Sequence, residues 1–215
     1  MLAGYYAILD VPPTTSDEAD HRGRILKRAA RLLAGRPCML QLRAKHSSAA
    51  ELAIVARLLL PGARAQRVPL CVNDRLDVAL AVGADAVHLG QDDLPLAEAR
   101  LVAAGRLCIG ISTHSVSQAR AAAAAGADYI GFGPIFATAS KANPDPIVGV
   151  AMLREVCRGG RPDLPVVAIG GITLDRVAEV AATGAAAAAL IAAIESAPDP
   201  VAAALFVNAA FREIP

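Results

Sequence analysis

Apolar residues in this chain come in short bursts, and each burst is followed by a longer stretch in which apolar and polar positions mix at helical spacing. The bursts predict strands over Tyr5–Leu9, Cys38–Leu42, Val68–Val72, Ala86–Leu89, Leu107–Ile111, Tyr129–Phe132, Val166–Ile169 and Ala187–Ile191. The mixed stretches predict helices over Asp20–Leu33, Ser47–Leu60, Arg75–Val82, Pro95–Ala104, Ser115–Ala125, Val150–Arg158, Leu174–Thr183 and Pro198–Phe211. Strand and helix alternate eight times at a short, regular spacing. That is the count of a closed (β/α)8 barrel, the TIM barrel of the α/β class, with residues 1–215 as one domain.

Punctuation supports the boundaries. Gly83, Gly126 and Gly184 each stand where a helix should end just before the next strand, a place for a left-handed residue. Two of these phrases read Gly-Ala-Asp and the third Gly184-Ala185-Ala186, which hints at similar βα units. Ser115 and Thr173 occupy N-cap positions. The longest irregular stretch, Gly133 to Gly149, follows the sixth strand and carries Pro134, Pro144 and Pro146; its length and place predict a lid over the active face.

Composition narrows the reading. Hydrophobic residues make up 55% of the 215 while aromatics make up 3%, so Ala, Val, Leu and Ile must fill the core, as in parallel strands covered on both faces. The formal net charge is +1, which argues against nucleic acid or a membrane surface as partner. No apolar run reaches the ~20 residues of a membrane span, and the start MLAGYYAILDVPP lacks the basic region of a signal peptide. Cys38, Cys71, Cys108 and Cys157 are widely spaced with no C-x-x-C, and three of them fall in strand-like runs. Reduced thiols in a cytoplasmic protein follow, with no zinc site; a homo-oligomer is compatible with all of this.

Polar residues collect where strands lead into helices. Gln41, Arg43 and Lys45 alternate at the end of the second strand, so their side chains can share one side. Arg offers a fork of donors to phosphate oxygens, and Lys a compact charge. Asn73-Asp74-Arg75 follows the third strand, and His88-Leu89-Gly90-Gln91-Asp92-Asp93 closes the fourth. Asp74 and Asp93 beside two cations suit a Mg²⁺ bridging diphosphate oxygens, since Mg²⁺ takes few protein carboxylates plus substrate phosphates; Asp92 reads equally as a helix cap. Ser112-Thr113-His114 follows the fifth strand, and the loop through Thr138-Ala139-Ser140-Lys141 the sixth. Gly170-Gly171 after the seventh lets backbone N–H groups approach a second phosphate at a helix N-terminus. In a parallel barrel all these ends meet on one rim. His88 reads as a satisfied core histidine, His21 and His46 as surface or helix-start residues, and His114 as a rim group able to act as acid or base.

These residues resemble the thiamine-phosphate synthase and thiazole tautomerase family. The matching phrases are Gln41-x-Arg43-x-Lys45, Asn73-Asp74, Val87-His88-x-Gly90-Gln91-x-Asp93, Gly110-Ile111-Ser112-Thr113-His114, the run from Asp128 to Thr138, Lys141, and Ala168-Ile169-Gly170-Gly171-Ile172. They run in order over nearly the whole chain. The resemblance implies a transferase of thiamine biosynthesis that couples hydroxymethylpyrimidine diphosphate to hydroxyethylthiazole phosphate, with Mg²⁺ as cofactor and diphosphate leaving first. It implies that Gln41 holds the pyrimidine, that Arg43, Lys45, Asn73, Ser112 and Lys141 hold the diphosphate, and that Asp74 and Asp93 ligate the metal. Arg43, Ser112 and Lys141 are thereby the catalytic set. Thr138, Ser140 and Gly171 would contact the thiazole phosphate.

The chain departs from the family in places. Ser140 stands where Thr is usual, so a hydroxyl survives. Ala186, Ala187 and Ala192 replace Asp, Gly and Ser of the family's eighth strand. Losing the hydroxyl at Ala192 would remove a phosphate contact worth about 1.5–3 kcal/mol if charge-assisted, which leaves backbone N–H groups near Ile191 and Ala192 to serve. Three other readings stay open at this stage. One is a thiazole tautomerase using His114, one a Schiff-base aldolase using Lys45 or Lys141, and one a paralogue that binds a thiazole phosphate without turnover.

Overall fold

All eight predicted strands form, and they close on one another in sequence order. The computed structural model describes residues 2–13, 18–138, 145–159 and 164–212. The strands are β1 (Gly4–Asp10), β2 (Met39–Arg43), β3 (Leu70–Asn73), β4 (Ala86–Leu89), β5 (Cys108–Thr113), β6 (Tyr129–Phe132), β7 (Val166–Ile169) and β8 (Ala187–Ala189). Each pairs in parallel with the next, and β1 pairs with β8 to shut the barrel. Around it lie α1 (Glu18–Ala34), α2 (Ala49–Ala65), α3 (Leu76–Val82), α4 (Leu96–Ala103), α5 (Val116–Ala124), α6 (Gly149–Gly159), α7 (Val177–Ala181), α8 (Ala192–Glu195) and α9 (Pro200–Ala210). The expected (β/α)8 barrel is the fold. No helix among the described residues is long and apolar enough to cross a membrane.

Strand alternation divides the core in two. Tyr5, Ala7, Leu9, Leu40, Leu42, Leu70 and Val72 face outward into the helix layer. Tyr6, Ile8, Met39, Cys71, Ala86, Tyr129, Val167, Ala187 and Ala189 face inward and fill the barrel. Two glycines make room for the large members of that interior. A Cβ on Gly110 would lie 2.1 Å from the Tyr129 ring, and one on Gly131 would lie 3.2 Å from the His88 ring. The glycines of β5 and β6 are thus packing requirements, set by bulky side chains that reach into the barrel from β6 and β4.

The structure departs from the sequence expectation in five places, each for a local reason. α2 runs past Pro61 to Ala65, because Leu59, Leu60 and Ala63 all bury against the core while Pro61 faces outward. It starts with a capping box, Ser48 accepting from the Glu51 amide at 3.2 Å and the Glu51 carboxylate from the Ser48 amide at 2.9 Å. β8 ends at Ala189, two residues early, where Ile191 turns into the short α8. The seventh helix begins as a 3-10 turn over Leu174–Arg176 and is α-helical only over Val177–Ala181. Ser115 caps α5 as expected, accepting from the Gln118 amide at 3.1 Å, whereas the Thr173 hydroxyl bonds the Asp175 carboxylate instead of a helix amide. His21 lies in the first turn of α1, as a helix-start residue, but is buried rather than at the surface.

The Gly-Ala-Asp phrase proves to be a repeated device. Asp85 accepts the Leu70 amide at 2.8 Å, and Asp128 accepts the Ile109 amide at 2.7 Å, each carboxylate reaching across to the preceding strand. By the same register Ala186 lies opposite Val166, and its methyl offers that strand no acceptor. Ala186→Asp is expected to raise stability by about 0.5–1.5 kcal/mol, the value of one added hydrogen bond. Thermal unfolding checks it, and an unchanged Tm would mean the Val166 amide already has an equivalent partner.

Candidate active site at the C-terminal mouth

The C-terminal ends of the strands carry the polar phrases, and the inward-facing positions decide which of them meet. On β1 and β2, Tyr6, Ile8 and Asp10 run in step with Met39, Gln41 and Arg43. Gln41 is buried and its Nε2 donates to the Tyr6 hydroxyl at 2.9 Å. Arg43, one step nearer the mouth, donates from one guanidinium nitrogen to both oxygens of its register partner Asp10, each at 2.7 Å. Sequence reading missed Asp10; its place in the inward series of β1 was the available signal. Lys45 lies in a turn beyond β2 and is exposed, so it does not extend the Gln41-Arg43 row as expected.

The two candidate metal ligands come together. Asp74 follows β3 with its backbone held in the left-handed region, at φ 63°, which an aspartate adopts at modest cost. Its amide donates to the His88 carbonyl at 2.8 Å, fixing it against the end of β4. Asp93 folds back over the β4 end and accepts the Gly90 amide at 2.6 Å. The Asp74 carboxyl is pushed up to about 6, first by burial and then by the neighbouring Asp93 carboxylate; the charges of Lys45 and Arg43 pull it partly back. Asp74 and Asp93 also hydrogen-bond to each other, and Arg43 at the end of β2 and Lys45 in the turn beyond it supply the nearby positive field. A half-buried pair of carboxylates that repel one another suits a small divalent cation, so this donor set fits Mg²⁺. No group of three or more metal-ligating side chains occurs among the described residues, and Mg²⁺ needs no such group when substrate oxygens complete its shell.

The fifth strand supplies Ser112, half-buried, whose hydroxyl lies 2.9 Å from His88 Nε2, while Gln91 Nε2 donates to the Ser112 carbonyl at 2.6 Å. Asn73 ends β3 in register with His88. Gln41, Arg43, Asn73, Asp74, Asp93 and Ser112 are therefore gathered on the mouth of β2 to β5. His88, expected to be a satisfied core residue, is buried with both ring nitrogens bonded.

The other half of the mouth is built by the loop after β6. Ile135 donates to the Ile169 carbonyl at 2.9 Å and Phe136 to the Gly170 carbonyl at 3.0 Å, so the loop zips onto the end of β7. Gly170 and Gly171 are glycine because both have positive φ and because a Cβ on Gly171 would lie 2.2 Å from the Ala137 carbonyl oxygen. Their first role is this close approach, which sets Gly171 beside the segment leading to Thr138. The returning limb is tied as well, Val148 donating to the Pro134 carbonyl at 2.9 Å. Ser140 and Lys141, and the middle of the expected lid, lie outside the described residues. After Gly171 the helix start expected to face a phosphate is only a 3-10 turn, with a weaker dipole than a long α-helix. At β8, Ile191 is the N-cap of the four-residue α8 and Ala192 its first residue. His114 is a strap: Nδ1 donates to the Gly133 carbonyl at 2.6 Å and Nε2 faces Asp145 at 3.5 Å.

A closed parallel barrel with acids, cations and a buried amide converging on its C-terminal mouth defines a class: a (β/α)8 barrel enzyme, whose active site lies at that face. The family follows from likeness in sequence. The model described as thiamine monophosphate synthase matches residues 13–194. The thiamine-phosphate synthase of Anaeromyxobacter dehalogenans is 50% identical over 173 residues, 80% of this chain and 77% of that protein. That of Herpetosiphon aurantiacus is 42% identical over 208 residues, 97% and 96% of the two chains. The solved thiamine phosphate pyrophosphorylase of Pyrococcus furiosus superposes with a TM-score of 0.82 at 31% identity, covering 98% of this chain and 96% of that one. The chain belongs to the thiamine monophosphate synthase family, and the protein is a transferase.

Proposed function

We propose that this enzyme joins hydroxymethylpyrimidine diphosphate to hydroxyethylthiazole phosphate in a Mg²⁺-dependent reaction, releasing diphosphate and giving thiamine phosphate. The observation that carries the reading is the Asp74–Asp93 pair set against Arg43 and Lys45. An active site that only bound a thiazole phosphate would have no use for a carboxylate pair beside two cations.

In this reading Gln41 holds the pyrimidine from below, and Arg43, Lys45, Asn73, Ser112 and Lys141 hold the diphosphate. Asp74 and Asp93 would hold Mg²⁺, which supplies charge neutralisation to the phosphate oxygens. Breaking the carbon–oxygen bond to diphosphate builds negative charge on the leaving group. Donors already fixed there stabilise that charge more than the ground state. Asp10 contributes by holding the Arg43 guanidinium in place, so little reorganisation is needed when charge develops. Thr138, Ser140, Gly171 and the backbone N–H groups at Ile191 and Ala192 take the thiazole phosphate, the last because Ala192 has no hydroxyl to offer. The free thiols of Cys38, Cys71, Cys108 and Cys157, all pushed upward by burial, suit the reducing cytoplasm.

His114 gives the tautomerase reading little support, since its ring is occupied in holding the β6 loop. Lys45 is exposed, unlike the desolvated lysine a Schiff-base mechanism needs. The test is direct: incubate the protein with both substrates with and without Mg²⁺ and quantify thiamine phosphate. Product that requires Mg²⁺ is expected; its absence with both substrates present would overturn the proposal.

A further inference from the structure

Beneath the mouth, an unbroken line of hydrogen bonds crosses the barrel interior. Gln41 Nε2 lies 2.9 Å from the Tyr6 hydroxyl, which lies 2.9 Å from the Tyr129 hydroxyl; that in turn lies 3.1 Å from His88 Nδ1, and His88 Nε2 lies 2.9 Å from the Ser112 hydroxyl. Tyr6, Tyr129 and His88 are buried. Both ends of the line are residues assigned to the substrates, yet the three members between them have no part in that assignment.

The direction of each bond follows from the first. An amide nitrogen only donates, so the Tyr6 oxygen accepts. Burial pushes both phenols well above their ordinary range, so each keeps its single proton to give. The Tyr6 proton has two candidate acceptors, the Tyr129 oxygen at 2.9 Å and the Cys71 sulfur; oxygen is the stronger acceptor, so Tyr6 donates to Tyr129. The Tyr129 proton has two candidate acceptors, His88 Nδ1 at 3.1 Å and the Cys71 sulfur at 3.6 Å. The ring nitrogen is both nearer and the stronger acceptor, and the Cys71 thiol is turned to the Val72 carbonyl. His88 Nδ1 thus accepts, and Nε2 carries the ring proton. Ser112 receives that proton as an acceptor, so its own hydroxyl proton must go elsewhere.

We infer that this line runs with one polarity from Gln41 to Ser112, and that His88, held as the neutral Nε2–H tautomer, is a positioning residue that obliges the Ser112 hydroxyl to donate into the mouth. A hydroxyl that could donate back to His88 would be a poor partner for an anionic leaving group. One deprived of that choice is a committed donor. Tyr6 and Tyr129 are therefore parts of the site, acting through His88 upon a group that needs no charge of its own. The tautomer stands independently of the proposed reaction, whereas its catalytic consequence rests on Ser112 facing the departing diphosphate.

Two measurements on the full chain test this. In protein labelled with ¹⁵N-histidine, long-range proton–nitrogen correlation reads the tautomer of His88, identified as the signal lost in His88→Gln. A protonated Nε2 and an unprotonated Nδ1 are expected; an Nδ1–H tautomer or a charged ring overturns the inference, whatever the activity. In the coupling assay His88→Gln, whose amide nitrogen can still donate to Ser112, is expected to keep kcat within about fivefold of the parent, while His88→Leu loses about thirtyfold in kcat with KM for the pyrimidine diphosphate nearly unchanged. Equal kcat in the two folded variants would overturn the positioning role. If the unaltered protein makes no product, the proposed reaction fails while the spectrum still decides the polarity of the line.

Discussion

Asp93→Ala is expected to lower Mg²⁺-dependent product formation by about 10²–10³-fold, the scale of losing a group that stabilises charge on the leaving oxygens, while the barrel remains folded. Asp93 is a partly exposed residue at the mouth whose backbone partner, the Gly90 amide, is itself half-buried and open to water as a replacement. The companion change Asp74→Asn should cost a similar factor in activity and yet stabilise the metal-free protein. The Asp74 carboxyl sits at about 6 in the fold against an ordinary 3.8. The folded state therefore holds the proton more tightly than the unfolded chain. Stability from this residue is greatest below about pH 4, declines as pH rises through about 6, and stays reduced above it. Asn carries no such penalty, so its gain in Tm over the parent should be small at pH 4 and full at pH 7.5. With diphosphate present to complete its shell, Mg²⁺ should raise the Tm of the parent more at pH 7.5 than at pH 5 and leave Asp93→Ala nearly unmoved. A parent Tm indifferent to Mg²⁺ at pH 7.5 would remove these carboxylates from the metal site.

Gly171→Ala is expected to destabilise the protein by about 2–4 kcal/mol, the sum of a left-handed alanine and an overpacked contact. At φ 63° the added methyl would stand 2.2 Å from the Ala137 carbonyl oxygen, a backbone atom that cannot rotate away. The structure can yield only by peeling the Pro134–Ala137 segment from the end of β7, which breaks the hydrogen bonds that the Ile135 and Phe136 amides donate to the Ile169 and Gly170 carbonyls. Activity should fall with stability, through KM for the thiazole phosphate more than for the pyrimidine diphosphate, because the loop builds only that half of the mouth. A wild-type Tm would show that the loop is not seated as described. Equal losses of affinity for both substrates would argue against dividing the mouth into two halves.

Much of the architecture could be read from one dimension. Ala86–Leu89, Tyr129–Phe132 and Val166–Ile169 emerge with the bounds their apolar runs predict, because a strand covered on both faces is apolar at nearly every position, and its ends stand out against the polar loops. The failures share a cause. Pro61 carries a local stop signal that burial of Leu59, Leu60 and Ala63 overrides, and the all-Ala eighth strand contains nothing that marks where Ala189 should end it. Part of the candidate site is legible too: Arg43, Asp74, Asp93 and Ser112 stand at strand ends in the sequence. Asp10 is not legible, because its partner Arg43 lies 33 positions away and only strand register makes them neighbours.

What the sequence determined by itself is the alternation that closes eight strands and the chemistry carried at their ends, since both depend on residue type and local spacing. What only the tertiary structure decided is which of those groups act on one another. The repulsion between Asp74 and Asp93, the clamp of Asp10 on Arg43, the fit of Gly110 under Tyr129 and the line from Gln41 to Ser112 all join different strands. Their energies depend on distances of a few ångströms across the barrel, which no order of residues along the chain expresses.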